Sequence, residues 1–256
     1  MSRFSNLEFN DDSGEEFAST PLVKDEAYYL SEAEMAFANG EFAQGLRSFA
    51  KVLEHNPNNA AAWTGQVRML IELGEFREAR LWADKAIERF PHEPELLAAK
   101  AVALARLGDI ENALAFSDAA VEERGDTAYI WLARGDVLLA AKQKQAVSCI
   151  EQAVVRGCNW LVHWLASRIY FHYKKLSLAL KMAQQGVALD AGRCVLWLQL
   201  GQCQAALGLA GAATNSFEQA VELNPQCHAA VVASSKMTHA GVLRRLGRWC
   251  RGLVYR

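Results

Sequence analysis

Bulky side chains recur along this chain at a nearly constant stride. Tyr29, Trp63, Leu97 and Trp131 stand 34 residues apart, and Trp164 and Trp197 follow at steps of 33. Around each lies a variation on the stretch from Trp63 to Pro91, WTGQVRMLIELGEFREARLWADKAIERFP. It reads as two short amphipathic helices joined at Gly74 and closed by a proline. Gly40, Gly74 and Gly108 mark the turn in the first three units and Gly208 in the sixth, while Pro57, Pro91 and Pro225 end the second helix of units one, two and six. Small residues stand where helices must approach closely: Ala33, Ala101, Gly135 and Gly201 on first helices, and Ala79, Ala113 and Ala213 opening second ones. A helical hairpin of this length cannot bury its apolar face alone, so like units must stack.

Each residue type has a physical reason to be there. Gly74 can enter the left-handed conformation at a helix C-terminus, which costs other residues about 1 kcal/mol. Trp63 fills the space between its own pair of helices and the next unit, so truncating it is expected to cost roughly 3–5 kcal/mol.

The pattern W-x2-L-G…A…F…A…P resembles the tetratricopeptide repeat family. Unit six carries it most fully, in Trp197, Leu200, Gly201, Gly208, Ala213, Phe217, Ala220 and Pro225; unit two carries Trp63, Gly74, Phe76, Ala79, Ala83, Ala86 and Pro91. The resemblance implies an all-α fold, a helix-turn-helix repeat solenoid wound as a right-handed superhelix of about six units with a C-terminal capping helix. It divides the chain into an acidic, disordered leader (1–25), an array (26–227) and a capping helix with a basic amphipathic tail (228–256). The units of the array are 26–59, 60–93, 94–127, 128–160, 161–193 and 194–227. The resemblance further implies a non-enzymatic scaffold that binds a protein or peptide segment in its concave groove, with no cofactor and no metal.

Composition agrees. An apolar content of 52% with 22% charged residues excludes wholesale disorder, and a formal charge of −2 gives no global pull toward nucleic acid or an anionic membrane. The six cysteines form no C-x-x-C pair and fall mostly in helical patterns, where a thiol acts as a small apolar group. MSRFSNLEFNDD lacks the apolar run of a signal peptide, and no stretch approaches ~20 uninterrupted apolar residues, so the expected compartment is the cytoplasm. The chain holds no G-x-S-x-G, phosphate loop, H-E-x-x-H or dinucleotide fingerprint, which speaks against an enzyme.

Three regions depart from the repeat. The leader combines Glu8, Asp11, Asp12, Glu15 and Glu16 with Phe4, Leu7, Phe9 and Phe17; it reads either as a solvated flexible segment or as one that docks into an apolar, partly basic groove. The turns of units four and five read one residue short and lack the glycine, placing Lys142, Lys144, Lys174 and Lys175 along one edge. The C-terminal stretch GVLRRLGRWCRGLVYR sets Arg244, Arg248 and Arg251 on one helical face and Val242, Leu246, Trp249 and Leu253 on another. Such a helix caps the array, meets an acidic partner, or recruits the protein to a membrane surface or nucleic acid; that adaptor reading is the alternative to the groove, and opposed charge at the two ends also permits self-association.

In the resembled fold, first helices line the groove. Mapped onto this sequence, the peptide-binding positions are Arg68, Arg106, Tyr129, Leu132, Asp136, Leu165, Ile169, His172, Tyr173, Leu198 and Gln202. Family members that hold the acidic C-termini of heat-shock chaperones use lysine and asparagine at several of these positions. Here the fifth positions are Leu30, Thr64, Ala98, Leu132, Leu165 and Leu198, so that carboxylate clamp is absent and a mainly apolar segment is the expected ligand.

Overall fold

A computed structural model describes residues 24–123 and 125–237. The acidic leader up to residue 23 and the basic tail from residue 238 lie outside the described residues, and with them the docking, membrane and nucleic-acid readings attached to those segments.

The described residues form an all-α solenoid without a strand. Six helix pairs follow one another: α1 (Glu26–Ala38) with α2 (Phe42–His55), α3 (Ala60–Leu73) with α4 (Phe76–Arg89), and α5 (Pro94–Leu107) with α6 (Ile110–Glu122). Then come α7 (Ala128–Ala140) with α8 (Ala146–Gly157), α9 (Trp160–His172) with α10 (Leu176–Leu189), and α11 (Cys194–Ala206) with α12 (Ala210–Leu223). A last helical stretch, α13, runs over 228–237 and buries Ala230 completely. From α3 to α9 each leading helix packs on its own partner, on the second helix of the preceding pair and on the next leading helix. The leading helices therefore form an inner layer. Nine side chains of α5 are buried but only three of α6, as expected for one layer inside another.

Local chemistry sets the boundaries. Asp25, Asn59, Thr127 and Asn159 each cap a leading helix by accepting a hydrogen bond from the backbone N–H three residues on. Each cap is worth about 1 kcal/mol. Close approach explains the small residues: a Cβ on Gly135 would stand 2.4 Å from the Ile150 side chain, and one on Gly201 2.6 Å from the Phe217 ring.

The caps also correct the spacing read from the tryptophans. They fall at Asp25, Asn59, Glu93, Thr127, Asn159 and Arg193, so four steps are 34 residues and the step out of unit four is 32. Four residues beyond each cap stand Tyr29, Trp63, Leu97, Trp131, His163 and Trp197. His163, not Trp164, holds the ladder position of unit five; its Nδ1 lies 2.9 Å from the Asn159 carbonyl oxygen. Trp164 is turned one position further, toward the concave side.

The turns are equally regular. Fifteen residues beyond each cap come Gly40, Gly74, Gly108, Lys142, Lys174 and Gly208, all left-handed with φ between 57° and 88°. Lys174 and Lys175 donate to the Phe171 and Tyr170 carbonyls just as Gly74 and Glu75 donate to those of Ile71 and Leu70. Unit five thus keeps a full-length turn with lysine in the glycine position. Both missing residues belong to unit four, one between Lys142 and Ala146 and one between Ala146 and Asn159.

Directly after that short unit the array meets its own beginning. The Trp164 ring stacks on Phe42 with centroids 5.9 Å apart and an interplanar angle of 17°, and touches Phe37 at 6.5 Å. Trp164 is only 3% exposed and sits in the largest apolar cluster, against which both phenylalanines pack. Beside it, Arg168 crosses to Glu72 of unit two, 96 residues away, with Nε and Nη2 at 2.9 and 2.6 Å from Oε2. The same guanidinium covers the Phe42 ring at 4.9 Å. These contacts make a clasp between units one and two and unit five.

Candidate functional site

The clasp borders a cavity of about 340 Å³ on the concave face. Helical register explains who lines it. The ninth residue after each cap points inward, giving Arg68, Val102, Asp136, Arg168 and Gln202; the thirteenth gives Glu72, Arg106 and His172. Ile71, Phe76, Tyr129, Leu132, Leu165, Ile169, Phe171 and Gln199 fill the wall between these polar groups.

Of the positions expected from sequence, Arg68, Arg106, Tyr129, Leu132, Asp136, Leu165, Ile169, His172 and Gln202 line this one cavity. Tyr173 stands just behind the wall, and Leu198 is half-buried outside it. Among the residues that the sequence mapping missed are Arg168, Glu72, Phe76, Phe171 and Gln199, together with Trp164 beside them. The mapping took Trp164 as the reference for unit five and so assigned the ninth position to Ile169. The capping sequence Asn159-x-x-Val162, compared with Asn59-x-x-Ala62, carried the correct register.

Two ion pairs cross the cavity wall. Arg106 grips Asp136 through two parallel hydrogen bonds, Nε to Oδ1 at 3.0 Å and Nη2 to Oδ2 at 2.6 Å. The Tyr173 hydroxyl donates to Asp136 Oδ1 at 2.7 Å, and its ring lies 5.2 Å from the guanidinium carbon. Both partners of the pair are buried, at 11% and 4% side-chain exposure. Burial works against the Arg106 charge, but the adjacent carboxylate more than offsets it and holds the guanidinium pKa above its ordinary value. Burial, with Asp136 close by, pushes the Tyr173 phenol pKa far up; Tyr129 is raised by burial as well. His172 moves the other way, lowered by desolvation in the cleft and by the nearby Arg106 charge. The second pair, Arg168 with Glu72, is the ionic half of the clasp.

Arg68 differs from both. Its guanidinium carbon lies 3.8 Å from the Tyr129 ring centroid and 4.9 Å from that of Phe37. Among the described residues no carboxylate pairs with it and no acceptor takes its N–H groups. Chemically, the site offers an apolar floor, two neutralised ion pairs and one cation with open hydrogen-bonding edges. Among the described residues, no three His, Cys, Asp or Glu side chains are grouped to hold a metal ion, and no helix is long and apolar enough to cross a membrane.

Two profiles of the tetratricopeptide repeat match this chain, one over residues 36–103 and one over residues 195–227. No curated protein matches it. Solved structures with similar folds include TTC0263, a tetratricopeptide-repeat protein of Thermus thermophilus, at 21% identity and a TM-score of 0.55 over 71% of this chain and 98% of that one. Human IFIT1, solved as a dimer with m7Gppp-AAAA, is similar at 20% identity and a TM-score of 0.52 over 89% of this chain. A chain of the APC/C hetero-tetramer Cut9–Hcn1 is similar at 14% identity and a TM-score of 0.51 over 83% of this chain. The chain spans 58% of the IFIT1 chain and 43% of the Cut9–Hcn1 chain. At these identities the likeness is one of fold.

Proposed function

The chain belongs to the tetratricopeptide-repeat family, and we propose that it is a non-enzymatic cytoplasmic scaffold that receives a segment of a partner protein in the concave cavity. The observation that supports this most strongly is convergence. Nine side chains from five consecutive leading helices meet around one space of about 340 Å³, although nothing in stacking the helices requires them to leave it open. A space of that size takes two or three side chains. With the clasp bordering it, the natural ligand is a short anchor motif or a chain end rather than a long peptide lying along the whole array. Arg106, Asp136 and Tyr173 set the polar boundary of the site, while Leu132, Leu165 and Ile169 supply its apolar floor.

The test uses wall residues that are not fully buried. Ile169→Asp combined with His172→Asp should abolish retention of partners captured by the wild type and identified by mass spectrometry, while the circular-dichroism melt stays close to wild type. If the double variant retains the same partners, they do not bind in the cavity.

The similarity to an RNA-bound structure raises nucleic acid as a second reading. Glu72 and Asp136 on the wall oppose a polyanion, and a formal charge of −2 gives no attraction at a distance.

A further inference from the structure

We propose that Arg68 is the specificity residue of the cavity, accepting the carboxylate of an aspartate or glutamate side chain on the incoming partner segment. The inference rests on the scaffold reading above and adds the chemistry of the ligand to it.

Three arginines line the cavity, and two are already answered: Arg106 by Asp136 and Arg168 by Glu72. The third has aromatic rings for neighbours in place of a carboxylate. Tyr129 and Phe37 both lie within cation–π distance of the Arg68 guanidinium and restrict where it can go. Aromatic faces satisfy the charge of a guanidinium but not its N–H donors. A carboxylate meeting those donors forms two parallel charge-assisted hydrogen bonds.

The same geometry selects the class of anion. A nucleic acid would need aromatic faces on which to stack its bases, and the faces nearest the cation are occupied by the cation itself. It would also bring several phosphates toward Glu72 and Asp136. One carboxylate flanked by apolar side chains fits both the single open cation and the apolar floor.

Phe37 belongs to unit one, whereas Arg68 and Tyr129 belong to units two and four. The aromatic surroundings of Arg68 therefore depend on the clasp holding unit one in place. Phe42→Ala, which weakens the clasp without touching Arg68 directly, should loosen binding of the acidic segment.

A random heptapeptide library selected on the full-length protein tests the proposal. Selected peptides should share one fixed aspartate or glutamate beside apolar residues. Replacing that acid by its amide should weaken binding roughly 10–100-fold to the wild type and almost not at all to Arg68→Gln. Arg68→Lys should recover part of the loss, because the charge remains while the planar fork does not. Peptides that bind the cavity with no fixed acid, or with equal affinity to Arg68→Gln, would overturn the carboxylate site and leave the scaffold reading standing. A library yielding no peptide sensitive to Ile169→Asp would overturn both. Tetranucleotide binding that outcompetes the selected peptides would replace the carboxylate by phosphate and refute the proposal.

Discussion

Units two and four are built on one plan and keep it differently. Unit two has its turn glycine at Gly74 and a full stride of 34 residues to the next cap; unit four puts Lys142 in the same left-handed position and covers only 32. Unit two reaches past its neighbours with the inward-facing Arg68, on Tyr129 of unit four, and Glu72, on Arg168 of unit five, whereas the helix that follows unit four reaches back to the first hairpin of the chain. Regular spacing fixes only nearest-neighbour stacking, with curvature accumulating evenly. The shortened unit stands where the array turns onto its own first hairpin. Long-range contact thus follows directly on the shortened unit rather than residing in it.

The comparison is broken most severely at Trp164. Trp164→Ala removes a fully packed ring that unites units one and five, and should cost about 3–5 kcal/mol in a urea melt. It should also enlarge the radius of gyration measured by small-angle scattering. Trp63→Ala should lower stability too, but leave that radius unchanged; equal expansion in both variants would refute the clasp. Next comes Asp136→Ala, which leaves Arg106 buried without its counter-ion and should cost about 3 kcal/mol. Because Tyr173 loses its acceptor as well, Tyr173→Phe should lose little further in the Asp136→Ala background, a non-additivity read by a double-mutant cycle.

A smaller effect sharpens the comparison of turns. Lys142→Gly and Lys174→Gly should each stabilise the protein by up to about 1 kcal/mol, since glycine enters the left-handed region freely. Gly74→Lys should lose a similar amount. Smallest is the pH response of His172. Its pKa in the folded protein lies below the ordinary 6.5, so the unfolded chain binds more protons in that range. Stability should therefore be full above pH 6.5 and decline as the pH falls toward the lowered value; His172→Gln should flatten that part of the stability curve without shifting it at pH 8.

The fold was legible because the stride is carried by residues whose size and backbone freedom leave few substitutes, Trp63, Gly74 and Ala79 among them. Most of the cavity wall was legible for the same reason: a residue nine places beyond a cap points inward whatever its identity. What misled was counting from the largest side chain. Trp164 looks like a member of the ladder, but the slot belongs to His163, and only the capping asparagine distinguishes the two registers. The pairing of Arg168 with Glu72 was not legible at all. It depends on curvature summed over two intervening units, and no pattern local to either residue records that sum.

The clasp carries one consequence for how the molecule comes apart. An open stack of hairpins frays from its ends, with the outermost unit exchanging its amide hydrogens fastest and the middle ones slowest. Tying the first hairpin to the fifth removes one of those ends. Units one to five then share a fate like the staves of a hooped cask, and the loosest amides of the array belong beyond the hoop, on α12 and α13.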